Sequence, residues 1–141
     1  MPARSRTRTA LAVVAAVFAA LILVQVFLAG LGVFSSPASF ITHREFGYLI
    51  GWFTLVILIL AVAGRMGRRI VGLAVVALVQ MALQSVFILI RTELPAVAAL
   101  HPVNGVLLLL VVTVIGRAAW QARSAGAPVS VAELPERAVL A

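Results

Sequence analysis

The chain is short, apolar and basic. It has 141 residues, of which 64% are hydrophobic and 11% are charged, with 11 basic residues against 4 acidic ones. This apolar share is well above that of a soluble domain, so the composition predicts a membrane protein built as one domain. Because the chain contains no cysteine, disulfides and thiolate metal sites are excluded.

Four apolar segments are long enough to cross a bilayer as helices, which takes about 20 residues. They span 10–34, 47–63 with an extension back toward His43, 70–90, and a fourth segment that ends near residue 115. Either Pro95 or Pro102 could occupy the first turn of the fourth helix, where proline is tolerated. The first segment exceeds the apolar stretch of about 7–15 residues in a cleavable signal peptide, so we expect it to be retained.

The connections between these segments are short, at 35–42, 64–69 and 91–94. Short connections favour antiparallel neighbours, so the sequence predicts an all-α, up-down-up-down bundle of four transmembrane helices. The predicted parts are a basic N-terminus (1–9), the transmembrane domain (10–119) and a tail (120–141). The tail has glycine, prolines and mixed charges without an apolar period, and we expect it to be flexible.

The arginines divide unequally between the two ends of the predicted helices. Nine fall on one side: Arg4, Arg6, Arg8, Arg65, Arg68, Arg69, Arg117, Arg123 and Arg137. The other side has Arg44 and Arg91. The positive-inside rule therefore predicts a bacterial inner-membrane protein with both termini in the cytoplasm. The basic residues are spread over three short segments, so we expect the lipid bilayer as a partner and no binding of nucleic acid.

The only two histidines occur in matching positions. His43 and His101 open the second and fourth apolar segments, and each is followed four residues later by a glycine, Gly47 or Gly105. Residues four apart lie on the same face of a helix, so the glycines could leave room for a flat ligand. The repeated unit also suggests that the bundle is a parallel duplication of two helices.

Polar side chains of the spans collect near the same predicted outer half, where Gln25, Gln84 and Asn104 accompany the histidines. Polar residues in spans usually face the bundle interior, so we expect one polar centre. Two histidines are too few for a zinc site of three or four protein ligands. Haem needs only two axial ligands, which makes haem b, held by His43 and His101 between helices 2 and 4, the predicted cofactor.

Further residues could contact such a haem. Arg44 and Arg91 lie at the same predicted face, where they could pair with haem propionates. Filled axial positions favour electron transfer, with a redox partner or a quinone, over oxygen chemistry. We identify no catalytic residues, and whether the chain is an enzyme stays open. The alternatives are a cofactor-free membrane scaffold or accessory subunit, and a small permease.

Short motifs carry a family resemblance. His-Arg at 43–44, Leu-Val-Gln-Met-Ala-Leu-Gln at 78–84 and His101 are similar to one half of bacterial haem A synthase, a duplicated four-helix bundle. The chain also resembles small uncharacterised bacterial four-helix membrane proteins. The resemblance implies that His43 and His101 are haem ligands and that Gln80 or Gln84 is the helix 3 glutamine.

The chain departs from haem A synthase in three respects. Phe40 stands where that family has a glutamate, three residues before the first histidine. The outer-loop cysteines of many members and the second half of the family's bundle have no counterpart. The resemblance therefore does not imply oxidation of a haem methyl group, and its implication is limited to haem binding.

Overall fold

A computed structural model describes residues 3–123, which are helical apart from short turns. The helices are α1 (Ala3–Phe34), α2 (Ser39–Ala63), α3 (Gly67–Leu89), α4 (Pro95–Ala98) and α5 (Leu100–Ala122). The predicted tail, 120–141, lies outside the described residues from 124 onward. Residues 3–9 of the predicted basic N-terminus form the first turns of α1.

Four helical segments are long and apolar enough to cross a membrane: α1, α2, α3, and α4 together with α5. Their lipid-facing surfaces are exposed apolar side chains, whereas only a minority of each helix is buried against its neighbours. The predicted all-α bundle of four spans is confirmed. The chain is a multi-pass membrane protein.

Two helix boundaries differ from the sequence expectation. α2 begins at Ser39, so half of the predicted 35–42 loop is helical. The preceding turn is stabilised by the Ser36 hydroxyl, which accepts a hydrogen bond from the Ala38 N–H (3.3 Å). Both candidate prolines are used, since Pro95 begins α4 and Pro102 lies in the first turn of α5. Pro102 has no N–H to bond the carbonyl of Ala98. The helix is interrupted at Ala99, between α4 and α5.

α1 and α3 each pack against both α2 and α5, so α2 and α5 lie diagonally across the bundle. Consecutive long helices run antiparallel. We call the end where α2 and α5 begin the histidine end, and the end where they terminate the arginine end. Any side chains that meet across the bundle axis at the histidine end therefore come from α2 and α5.

The two halves bury residues at the same spacing. In α2 the buried positions include 50, 54, 57 and 61, and in α5 they include 108, 112, 115 and 119. The buried alanine and phenylalanine at 15 and 18 of α1 correspond to the buried alanines at 74 and 77 of α3. This correspondence, with diagonal placement of equivalent helices, indicates a pseudo-twofold axis along the bundle, as expected for a parallel duplication.

Apolar packing fills the half of the bundle nearer the arginine end. Its fully buried large side chains include Leu11, Phe18, Ile57, Val112 and Ile115. The Phe18 ring also stacks on Phe53, with ring centroids 5.7 Å apart. A Cβ at Gly116 would lie 3.2 Å from the Ala15 Cβ, so small residues bring α1 and α5 close together.

Arg8 joins three helices at the arginine end. Its Nε donates to the Gly64 carbonyl at the end of α2 (3.1 Å), and its Nη1 donates to the Ala122 carbonyl at the end of α5 (2.9 Å). These carbonyls belong to helix C-termini, where the partial negative charge favours a cation. Arg8 therefore stabilises the pseudo-symmetric ends of α2 and α5 together.

The predicted membrane orientation can be tested with single cysteines, because the wild-type chain has none. We expect Ser36→Cys and Thr92→Cys to react with an impermeant thiol reagent in intact cells, and Gln121→Cys to react only after lysis. All three residues are exposed. Labelling of the Gln121→Cys variant alone in intact cells would mean that the orientation is inverted.

Arg8→Gln should lower the free energy of unfolding by about 1.5–3 kcal/mol, the usual worth of hydrogen bonds to a charged group. The change is measured from the unfolding transition of protein solubilised in mild detergent, monitored by circular dichroism. Arg6→Gln is the matched control, because Arg6 is exposed at the same end of α1. Equal destabilisation by both substitutions would contradict a specific role for Arg8.

Candidate cofactor site at the histidine end

His43 and His101 meet across the bundle axis. Their ring centroids are 6.1 Å apart and the ring planes are inclined by 67°. Both residues are partly buried. Because α2 and α5 are the diagonal pair, the two imidazoles face each other across the pseudo-twofold axis, and each half of the bundle supplies one of them.

Each imidazole is held by a backbone carbonyl of the neighbouring helix. His43 Nδ1 lies 3.0 Å from the carbonyl oxygen of Gln25 in α1, and His101 Nδ1 lies 3.2 Å from that of Gln84 in α3. A carbonyl oxygen can only accept, so each contact is a hydrogen bond when the ring carries its proton on Nδ1. The Nε2 atom of each neutral ring then carries a lone pair that is free to bind a metal or accept a proton.

The side chain of the same glutamine binds the same histidine a second time. In α1, Gln25 Nε2 donates to the His43 carbonyl (2.8 Å). In α3, hydrogen bonding orients the Gln84 amide so that its nitrogen donates to the His101 carbonyl (3.0 Å) and its oxygen accepts from the Gly105 N–H (3.1 Å). The amide nitrogen of Gln84 is also 3.0 Å from His101 Nδ1. When Nδ1 carries the ring proton, the amide nitrogen donates to the His101 carbonyl alone.

The glycine of each His-x-x-x-Gly unit makes room for the glutamine amide. A Cβ at Gly47 would lie 2.6 Å from Gln25 Nε2, and a Cβ at Gly105 would lie 3.2 Å from the end of the Gln84 side chain. The sequence suggested that the glycines leave room for a flat ligand. In the structure, the group over each glycine is a glutamine amide from the adjacent helix.

A second polar layer lies one turn deeper. Asn104 is 7% exposed, and its Nδ2 donates to the Gln80 carbonyl in α3 (2.8 Å). The side-chain oxygen of Gln80 in this layer, and that of Gln25 in the layer of the histidines, are buried and have no hydrogen-bond partner among the described residues. Each such acceptor costs about 1–3 kcal/mol unless water or a ligand donates to it. The layer is therefore a polar environment enclosed by the bundle.

The remaining predicted contacts lie at the rim of the site. Arg44 is exposed and pairs with Glu45, with Arg44 Nη2 and Glu45 Oε1 2.7 Å apart. Arg91 is exposed, and its Nη1 donates to the Ile88 carbonyl at the end of α3 (2.8 Å). Both arginines are thus at the histidine end, with engaged but exposed guanidinium groups.

Sequence reasoning did not identify Phe40 as part of the site. Its ring meets the His43 ring edge to face, with centroids 6.3 Å apart. The same ring fills the space over Gly32, where a Cβ would lie 2.7 Å from its carbon atoms. Phe40 therefore covers one side of the first imidazole with an apolar surface. The available signal was its position one turn before His43.

The site has two imidazole side chains that could bind a metal. Within residues 3–123, no group of three or more histidine, cysteine, aspartate or glutamate side chains comes together. The chemistry available to the pair is hydrogen bonding, proton exchange, or axial ligation of a metal whose other positions are filled by a cofactor.

Comparison with known proteins gives one family match. Residues 25–92 match the model of a family of unknown function (DUF6220). The matched segment begins at Gln25 and includes His43, Gly47 and Gln84, and it ends before His101. No curated protein and no solved structure matches the chain. The match agrees with a resemblance to an uncharacterised family, and the resemblance to haem A synthase stays a prediction.

Proposed function

We propose that this membrane protein holds one b-type haem between α2 and α5, with His43 and His101 as its axial ligands, and that it transfers electrons. The observation that carries the proposal is the pair of imidazoles 6.1 Å apart across the bundle axis, each with Nδ1 within hydrogen-bond distance of a backbone carbonyl.

The separation suits two ligands of one iron. A metal–imidazole bond is about 2 Å long and the ring adds roughly 1 Å from nitrogen to centroid, so two rings that share one ion have centroids about 6 Å apart. An interplanar angle of 67° is compatible with this arrangement, because each ring can rotate about its own metal–nitrogen bond.

The hydrogen bonds also suit axial ligation. Metal-binding histidines generally donate their other N–H to a carbonyl or carboxylate, which fixes the tautomer and raises the basicity of the ligating nitrogen. Gln25 O and Gln84 O provide this partner for His43 and His101. Two imidazoles suffice for haem, because the porphyrin brings four nitrogens of its own. When bound, haem supplies a one-electron ferric–ferrous couple.

The surroundings define what the other residues would do. Arg44 and Arg91, exposed at the histidine end, could pair with the propionates. The closely packed apolar half below the site would exclude water from one side. The buried side chains of that half are mostly apolar, which favours a cofactor protein over a permease. A quinone or a protein at the histidine end would be the redox partner.

The arginine distribution supports an orientation for this site. Eight arginines of the described residues lie at the arginine end, against two at the histidine end. We therefore propose a bacterial inner-membrane protein with cytoplasmic termini and with the haem nearer the outer face.

Optical spectra of protein purified in mild detergent from haem-sufficient cells test the proposal. Wild-type protein should have a Soret band and a low-spin α-band when reduced. His43→Ala and His101→Ala should each abolish this spectrum or convert it to a high-spin form, because one axial ligand is lost.

Thr113→Ala provides a matched control for these variants. Thr113 lies nearer the arginine end of α5 and is exposed, and within residues 3–123 its hydroxyl bonds only the carbonyl of Leu109 in its own helix. This variant should keep the wild-type spectrum. Wild-type protein that is colourless and stays so after haem is added would contradict the proposal and favour a cofactor-free scaffold.

A further inference from the structure

We propose that Gln25 and Gln84 are positioning residues, each of which fixes one histidine at two points, and that Gly47 and Gly105 are glycines because each admits one amide. The effect of this positioning on haem binding rests on the proposed haem function. The two-point contact itself concerns only residues of this chain.

In the first half, the two points are on one glutamine and one histidine. The Gln25 backbone carbonyl accepts from His43 Nδ1 (3.0 Å), and the Gln25 side-chain nitrogen donates to the His43 carbonyl (2.8 Å). A single hydrogen bond lets a residue pivot about it. Two bonds from the same partner, one to the ring and one to the backbone, determine both the direction of the ring and the position of its helical turn.

The second half repeats this contact with different neighbours. The Gln84 carbonyl accepts from His101 Nδ1 (3.2 Å), and the Gln84 amide bonds the His101 carbonyl and the Gly105 N–H (3.0 and 3.1 Å). His101 O and Gly105 N are four residues apart, so they are the carbonyl and N–H that face each other across one helical turn. The amide lies along that turn, which explains the spacing of four between histidine and glycine.

The amide contact distinguishes Gly47 and Gly105 from two other helical glycines, Gly30 and Gly72. A Cβ at Gly47 or Gly105 would meet a glutamine amide, at 2.6 Å or 3.2 Å. A Cβ at Gly30 in α1 or at Gly72 in α3 would meet no atom within 4 Å. General flexibility or loose packing does not predict this difference, since all four glycines are inside helices.

A double-mutant cycle tests the coupling between Gly47 and Gln25. Gly47→Ala should lower the thermal unfolding midpoint, because the new methyl group displaces the amide from the His43 carbonyl. In a Gln25→Ala background the amide is gone, and Gly47→Ala should then no longer lower the midpoint and should raise it slightly, because alanine favours a helix more than glycine does. In a Gln84→Ala background, Gly47→Ala should retain its full effect. Gly30→Ala and Gly72→Ala are the controls and should raise the midpoint slightly, because alanine favours a helix more than glycine does and meets no neighbouring atom there.

A spectroscopic readout distinguishes positioning from simple stabilisation. Gln25→Met keeps the side-chain length and removes the donor, and it should shift the low-spin electron paramagnetic resonance g values and weaken haem binding about 10-fold or more. Gln25→Glu can donate from its protonated carboxyl group when buried, and it should restore the wild-type g values.

The outcomes separate the two proposals. If Gly47→Ala is equally destabilising with and without the Gln25 side chain, the positioning role is wrong, whatever the haem content. If Gln25→Met retains wild-type g values and haem affinity, the glutamine does not position the ligand. If the coupling is present in a protein that binds no haem, the two-point contact stands and the proposed function fails.

Discussion

The structure depends on the contact between a glutamine of one helix and the histidine-bearing turn of the next. Inside a bilayer, an imidazole or amide that lacks a hydrogen-bond partner is costly, because there is no bulk water to take the place of that partner. Gln25 with His43, and Gln84 with His101, satisfy most of these groups by pairing them with one another and with the backbone. The pairing fixes the relative height of the helices in each half, and thereby brings the two rings to the bundle axis.

The pseudo-twofold arrangement explains why the site lies at the centre, and its departures from symmetry give the site two different sides. An apolar ring, Phe40, covers His43. On the other side a polar residue, Asn104, lies one helical turn after His101 and bonds the Gln80 carbonyl. At the opposite end, Arg8 bonds the equivalent carbonyls of α2 and α5. Apolar packing and Arg8 thus close one end, while the histidine end keeps polar groups with unused hydrogen-bonding capacity. This polarity suits a protein that binds its ligand from one side.

The fold could be predicted from the sequence because length and hydropathy dictate membrane helices, and the matched His-x-x-x-Gly units indicated both the repeat and the meeting of His43 with His101. The contacts between helices could not be predicted from the sequence. The residue that faces Gly47 depends on the rotation and height of α1, and one residue of shift turns a side chain by about 100°. Sequence reasoning therefore found Gln25 and Gln84 without assigning their partners, and it did not identify the contact of Phe40.

The protonation of the two imidazoles tests the central claim most directly. The chain has only 2 histidines, so protein labelled with ¹⁵N in histidine gives two sets of ring signals in solid-state nuclear magnetic resonance. In lipid bilayers without added ligand at neutral pH, both rings should carry their proton on Nδ1, with Nε2 unprotonated, and both Nε2 signals should shift or broaden when haem is added. A proton on Nε2 of either ring, with no response to haem, would contradict the account.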